Sequence, residues 1–310
     1  MKMRKWLKSL SVVGLAASLL VGASAPVQAQ SEFEGEEVSV GIVPGPSEEV
    51  WNVVVEKAEA DGITVDLVLF SDYVQPNIAL QDGSLDLNAF QHVAFLDDWN
   101  EANDGSLTGI GYTFVSPMGA YSENIESLDD LQEGDTIAIP NDPTNGGRAL
   151  LGLELAGVIE VDDEVGPLAT INDITDNPLN LEFEELDAAQ LALSLPDVAA
   201  AFINLNFATD AGLSLDEAIF VDADYPEELN EAYRNVIAAL EENQDNALYL
   251  QIVEYYQTEE VAQALYDTTN NGDKPAWENA PVIGENAEDA SSEETSEEES
   301  SEESTEEDAE

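Results

Sequence analysis

The 310-residue chain contains no cysteine, which excludes a disulfide framework and thiol catalysis. It has one histidine, His92, so a multi-histidine zinc or iron site cannot be assembled from a single chain. Positive charge is almost as scarce. Eight Lys+Arg stand against 67 Asp+Glu, for a formal net charge of −59. Four of the eight cations (Lys2, Arg4, Lys5 and Lys8) fall in the first eight residues, leaving Lys57, Arg148, Arg234 and Lys274 for everything after. So acidic a chain cannot neutralise nucleic-acid phosphates, and it has no electrostatic hold on anionic lipid. Its longest apolar run, Leu10 to Ala23, is too short for a comfortable transmembrane helix.

What is present at the start reads as an export signal. The basic residues, the apolar run and Val27-Gln28-Ala29 predict a signal peptide over 1–29, cleaved after Ala29. At the other end, residues 285–310 hold 14 acids, eight Ser/Thr and no aromatic. That composition cannot bury a core and predicts a disordered acidic tail. The remaining acids lie between the two ends, where mutual repulsion is tolerable if salt screens it, over about 3 Å at 1 M. The composition therefore suits an exported protein from a saline setting, or one both saline and alkaline, with an acidic mesophile protein as the alternative.

Between Val38 and Pro281, short apolar runs alternate with amphipathic stretches. Val38–Val43, Val65–Phe70 and Leu85–Phe90 predict strands. Ser47 is placed to cap a helix carrying Val50, Val54 and Ala58, and 74–81 predicts a short helix. A second series runs through a strand at 136–139, a helix over about 145–156, and strands at 200–203 and 218–221. Helices over 246–256 and from Glu259 to Tyr266, capped by Thr258, close it. Strand–helix–strand order implies α/β lobes with mostly parallel sheets. The predicted organisation is a linker over 30–37, one lobe from 38–115 plus 222–281, a second from 116–221, and the tail from 282 to 310.

Arg148 is the most informative residue. It follows Pro140-Asn141-Asp142-Pro143-Thr144-Asn145-Gly146-Gly147, read as a strand end, a polar glycine-containing loop and a helix start. Helix N-terminal amides attract anions at such places, and a guanidinium suits bidentate capture of a carboxylate. The rival is a surface arginine paired with neighbouring acids. His92 ends Asn88-Ala89-Phe90-Gln91-His92. It is either a hydrogen-bonded, half-buried imidazole or, with Tyr73, Phe90 and Phe95, part of an aromatic box for an apolar or thioether group. Asn204, at the end of an apolar run, reads as a turn residue or a polar ligand. The acidic loop at 142–145 lacks the glycine and distal glutamate of a calcium loop. No G-x-S-x-G elbow occurs, and no catalytic carboxylate pair stands out.

The chain resembles the substrate-binding lipoproteins of methionine ABC importers, the NlpA/MetQ type. The stretches that carry the resemblance are Ser71-Asp72-Tyr73-Val74-Gln75-Pro76-Asn77, Asn88-Ala89-Phe90-Gln91-His92, Pro140 through Arg148, and Ile203-Asn204. It spans roughly Val38 to Trp277. The resemblance implies a type II periplasmic-binding-protein fold, two lobes joined by two crossover strands, with methionine in the interlobe cleft. It further implies Tyr73, Phe90 and His92 as side-chain pocket, with Phe95 beside them. Arg148 would be the carboxylate partner, and Asn145, Asn204 and Asn235 polar ligands of the amino-acid backbone. Three departures stand out. Leu20-Val21-Gly22 is followed by Ala23 where the family has its lipobox cysteine. Phe95 and Phe207 replace expected tyrosines. The acidic tail has no counterpart.

The expected function is extracytoplasmic delivery of methionine, or a close analogue, to an ABC permease with its ATPase. The protein is expected to act as a monomer without cofactor or metal. A methionine-containing dipeptide or another apolar amino acid is the alternative ligand. A surface adhesin or an enzyme of the same fold are alternatives of a different class.

Overall fold

The computed structural model describes residues 32–162, 164–222 and 231–283. The expected signal peptide, and all but residues 282 and 283 of the expected tail, lie outside them. The chain opens with β1 (Glu37–Ile42), α1 (Ser47–Ala60), β2 (Thr64–Leu69), α2 (Gln75–Gln81), β3 (Leu87–His92), α3 (Val93–Asn103) and β4 (Leu107–Val115). A second unit follows: β5 (Met118–Tyr121), β6 (Thr136–Pro140), α4 (Pro143–Leu155), β7 (Glu160–Val161), β8 (Ile174–Asp176) and β9 (Glu182–Leu186). It continues with α5 (Leu191–Ser194), β10 (Ala200–Asn204), α6 (Leu205–Asp210) and β11 (Phe220–Val221). The chain then returns through β12 (Arg234–Leu240), α7 (Ala247–Tyr256), α8 (Glu259–Thr269) and β13 (Lys274–Pro275).

These strands make a six-stranded sheet, ordered β13-β4-β12-β3-β1-β2, and a five-stranded sheet, ordered β11-β5-β10-β6-β9. A small β7–β8 hairpin stands apart from both. The sheets are mixed, not mostly parallel. The β-α-β units β1-α1-β2 and β6-α4-β9 pair in parallel as expected. The strands flanking the two crossings, β4, β5, β11 and β12, pair antiparallel to their neighbours. Of these, β12 and β5 run against the strands built by helical crossovers, whereas β4 and β11, antiparallel to β12 and β5, run with them. The chain leaves the first sheet through Ser116-Pro117. It comes back between Val221 and Arg234, a stretch that includes residues outside the described set.

Each sheet has its own core. In the first, Val38, Val40 and Ile42 of β1 meet Val50, Trp51 and Val54 of α1, with Ile252 and Tyr256 of α7 and Leu265 of α8 completing the cluster. The second sheet is covered on both faces, and β6 shows the strand period directly. Ile137 and Ile139 pack with Leu150, Leu153 and Phe202, while Ala138 faces Leu191, Ile203 and Phe207. Each fully buried Val, Leu, Ile or Phe contributes roughly 1.5–3 kcal/mol, enough for each lobe to hold its half of a site.

Local readings need adjustment at helix starts. Ser47 is the first residue of α1, Pro46 occupies the cap position, and no side chain caps it. Thr258 likewise makes no side-chain cap, and α8 runs on to Thr269, where Asn270 adopts a left-handed conformation. Asn246 does cap α7, accepting from the backbone N–H of Leu248 and Tyr249. Within the expected linker, the Gly35 N–H donates to Gly62 O at 2.8 Å, and Glu37 already belongs to β1.

Candidate functional site

The two lobes meet around one cavity, and Tyr73, Phe90, His92, Phe95, Asn145, Arg148, Asn204 and Asn235 all line it. From the first lobe come the rings. Asp72 accepts from the backbone N–H of Val74 and Gln75 at 2.8 and 2.9 Å, a turn that starts α2 and holds Tyr73 at the rim. Ring centroids of Tyr73, Phe90 and Phe95 lie 5.7 to 6.0 Å apart. Phe207 of α6 approaches Tyr73 to 4.9 Å from the other lobe. At these separations the rings pack on one another, and the apolar, polarisable surface they present suits an apolar or thioether group.

Beneath the rings, β3 is pinned by an amide network that accounts for three residues of the motifs. Asn77 Nδ2 donates to Gln91 Oε1 at 2.7 Å, and Asn88 Nδ2 donates to Asn77 Oδ1 at 2.8 Å. Gln91 Nε2 donates to Asn77 Oδ1 at 2.7 Å and to Asn88 Oδ1 at 3.0 Å. Buried amides satisfied by one another fix a backbone without leaving a stranded donor.

His92 ends β3 opposite Asn235 of β12. Its Nδ1 accepts from the backbone N–H of Phe95 at 3.1 Å. That bond assigns the proton to Nε2, which lies 3.4 Å from Asn145 Oδ1. Burial, reinforced by the charge of Arg148, pushes the imidazole pKa down to about 3. His92 is therefore a buried neutral donor within the site, which unites the two readings of it.

The second lobe supplies the polar wall. Helix α4 begins at Pro143, two residues before the expected start, so the polar stretch from Thr144 to Gly147 forms its first turns. Asp142 caps it, accepting from Asn145 N at 2.8 Å and Thr144 Oγ1 at 3.0 Å. A side chain at Gly147 would lie 2.3 Å from the carbonyl oxygen of Pro167, so glycine is what lets the helix settle there. The Asn145 side-chain amide donates to both Asp142 oxygens at 3.0 Å and accepts from Asn204 Nδ2 at 2.9 Å. Asn145 thus orients Asn204 and His92. Asn204 Oδ1 is left buried without a protein partner.

Arg148 fits neither sequence reading completely. It is buried, not on the surface, and it already holds a carboxylate. Its Nε donates to Asp222 Oδ2 at 2.6 Å and its Nη2 to Asp222 Oδ1 at 3.2 Å. Nη2 also donates to Ser116 O at 2.8 Å, and the guanidinium carbon sits 4.4 Å from the centroid of the Tyr233 ring. Asp222 in turn accepts from Met118 N at 2.7 Å. The pair is a fixed, buried fork at the crossing between lobes, with Arg148 in the cavity wall. Asp222, Tyr233 and Asn206 carry no local motif and could not be picked from the sequence.

The lobes touch at the rims. Tyr73 Oη donates to Asn206 Oδ1 at 2.5 Å. Gly45, at φ +103°, approaches Asn206 so closely that a Cβ would lie 2.6 Å from its carbonyl oxygen. A Cβ on Gly272 would lie 2.7 Å from Leu205. With Phe90, His92, Asn145, Arg148, Phe207 and Asn235 all buried, this is a shut cleft.

Two mixed-sheet lobes closing over a cavity with an aromatic wall and a polar one define a solute-binding protein of the periplasmic-binding type. The chain belongs to the NlpA lipoprotein family, whose profile matches residues 38–277. It is 40% identical over 272 residues to the probable D-methionine-binding lipoprotein MetQ of Vibrio cholerae, covering 87% of this chain and 98% of that one. It is 40% identical over 267 residues to the D-methionine-binding lipoprotein MetQ of Escherichia coli K12, covering 84% and 97%. A solved nutrient-binding protein from Burkholderia cenocepacia bound to methionine superposes with a TM-score of 0.73 at 39% identity, covering 77% of this chain and all of that one.

Proposed function

We propose that the cleft binds methionine, L or D, and that the protein delivers it from outside the cytoplasmic membrane to an ABC permease with its ATPase. It is a binding protein, not an enzyme. One observation carries the ligand class: the Tyr73, Phe90 and Phe95 rings and the Arg148–Asn204 wall line the same cavity. The rings suit a thioether, the guanidinium suits a carboxylate, and the unpaired Asn204 Oδ1 awaits a donor. Lobe boundaries near Ser116 and Asp222 belong to this reading, supported by the change of sheet between β4 and β5. Export by the predicted signal, retention without a lipid at Ala23, and action as a monomer belong to the same reading.

Thermal melting with each of the twenty amino acids tests it. Methionine is expected to raise the melting temperature through linkage, whereas aspartate, lysine and phosphate leave it unchanged. If no amino acid shifts melting, the reading falls. The cavity continues past the rings along Val50, Trp51 and Phe114, which favours Gly-Met as the second ligand to try.

A further inference from the structure

Asp273, between α8 and β13, is a buried carboxyl with an unsatisfied oxygen in the wall of the same cavity. It is 6% exposed, its Oδ1 has no protein partner, and it lines the cleft together with Arg148 and Asn204. Lys274 follows it directly, but that ammonium is hydrogen-bonded to Asn271. A carboxyl desolvated in this way is costly unless something compensates it.

Ser116 relates this group to the rest of the site. Its carbonyl oxygen accepts from Arg148 Nη2 at 2.8 Å, and its side chain acts on the Asp273 carboxyl in the direction that favours the ionised form. One residue at the crossing from β4 to β5 therefore has the guanidinium on one side and the acid on the other. An α-amino acid carries its carboxylate and ammonium on one carbon, with charges of the opposite order. We propose that Asp273 is a specificity-determining residue that receives the ligand's ammonium while Arg148 faces its carboxylate. An ammonium has three N–H donors, so Asn204 Oδ1 and Asp273 can both be satisfied by one group. The assignment rests on the methionine reading of the cleft.

The groups around Asp273 make its charge readable. Burial pushes its pKa up to about 7, opposed by the Ser116 side chain and the charge of Lys274. Tyr256 of α7, which feels the Asp273 charge, is held well above the usual phenol range by burial. Across Ser116 lies the Arg148–Asp222 pair, and His92 titrates near pH 3. Below about pH 7 the empty site keeps Asp273 protonated, and an arriving ammonium must displace that proton. Methionine affinity accordingly rises with pH from 5.5 to 7.5, while 4-(methylthio)butanoate, which lacks the amino group, shows no such rise.

The experiment is calorimetric titration of both compounds into wild type and Asp273→Asn. Asp273→Asn is expected to weaken methionine at least about tenfold, as for a lost charged hydrogen bond, and the butanoate less than about twofold. In wild type the ratio of the two affinities climbs several-fold between pH 5.5 and 7.5. That pH series needs no variant and decides the matter even if Asp273→Asn fails to fold. An equal loss for both ligands, or a ratio flat with pH, overturns the assignment alone. Binding of neither compound by wild type overturns the methionine reading and this assignment with it.

Discussion

The two walls of the cleft are built by different physics. The first-lobe wall is made of rings on a strand end, held by satisfied amides behind it: Asn77, Asn88 and Gln91 bond one another, and Phe90 and Phe95 fill the space in front. The second-lobe wall is made of polar groups at the start of a helix and the end of a strand, held by charge: Asp142 caps α4 and Asp222 fixes Arg148. Removing a ring from the first wall costs packing, which neighbours can partly recover. Removing a charge from the second strands its partner, which they cannot. Shape is the adaptable half of this site and charge the unforgiving half.

The largest expected effect separates the walls by salt. Between residues 116 and 221 the sequence has 22 acids and one cation, Arg148, which is buried. The first lobe keeps Lys57, Arg234 and Lys274. Lowering salt to about 10 mM extends the screening length to about 30 Å, so the second lobe is expected to loosen first. Hydrogen exchange across a salt series, read lobe by lobe, checks this. A melting temperature that stays flat or falls as salt is added defeats the charge argument.

Next in size is Arg148→Met, which leaves Asp222 buried without its cation and is expected to cost about 3–5 kcal/mol of stability, measured by denaturant unfolding. Arg148→Lys keeps the charge and loses the fork. It should fold, yet bind methionine at least about tenfold more weakly. Wild-type affinity in Arg148→Lys would mean that the second wall does not hold the carboxylate.

The smallest effect tests the rim. Tyr73→Phe keeps the ring but loses the bond to Asn206 across the gap, worth about 0.5–1.5 kcal/mol. Affinity is expected to fall by about two- to tenfold, mainly through faster release in stopped-flow measurements. An unchanged release rate would assign Tyr73 to the pocket alone.

Much of this architecture was legible because its parts are local. The strand runs in β1, β2 and β10 and the apolar face of α1 show their periods directly. The motifs around Tyr73, His92 and Arg148 hold six of the eight candidate residues, and Asn204 and Asn235 join them on one cavity. What escaped was tertiary. Strand β4 lacks an apolar alternation because Gly109 and Gly111 interrupt it, and at Gly111 a Cβ would lie 2.4 Å from Val253 of α7. That glycine records a helix residue 142 positions away in sequence, which no local window contains. Asp222 is similar. As one acid among 67, it is distinguished only by lying opposite Arg148. Asp273 is a third instance, its meaning set by burial and by Ser116.

The glycines at the rims have a consequence for how tightly any ligand is held. Gly45 and Gly272 occupy places where one added methyl would meet the opposing lobe. Neither contact involves the ligand, so both act on the balance between shut and open forms. Apparent affinity is the intrinsic affinity scaled by the fraction of molecules competent to hold the ligand, and 1.4 kcal/mol on that balance is worth about tenfold. A methyl at Gly45, set against the Asn206 carbonyl, would therefore serve as a wedge. It would lower affinity for every ligand by a common factor and leave the ranking among them untouched, so retention can be tuned at the rim without rewriting selectivity in the cleft.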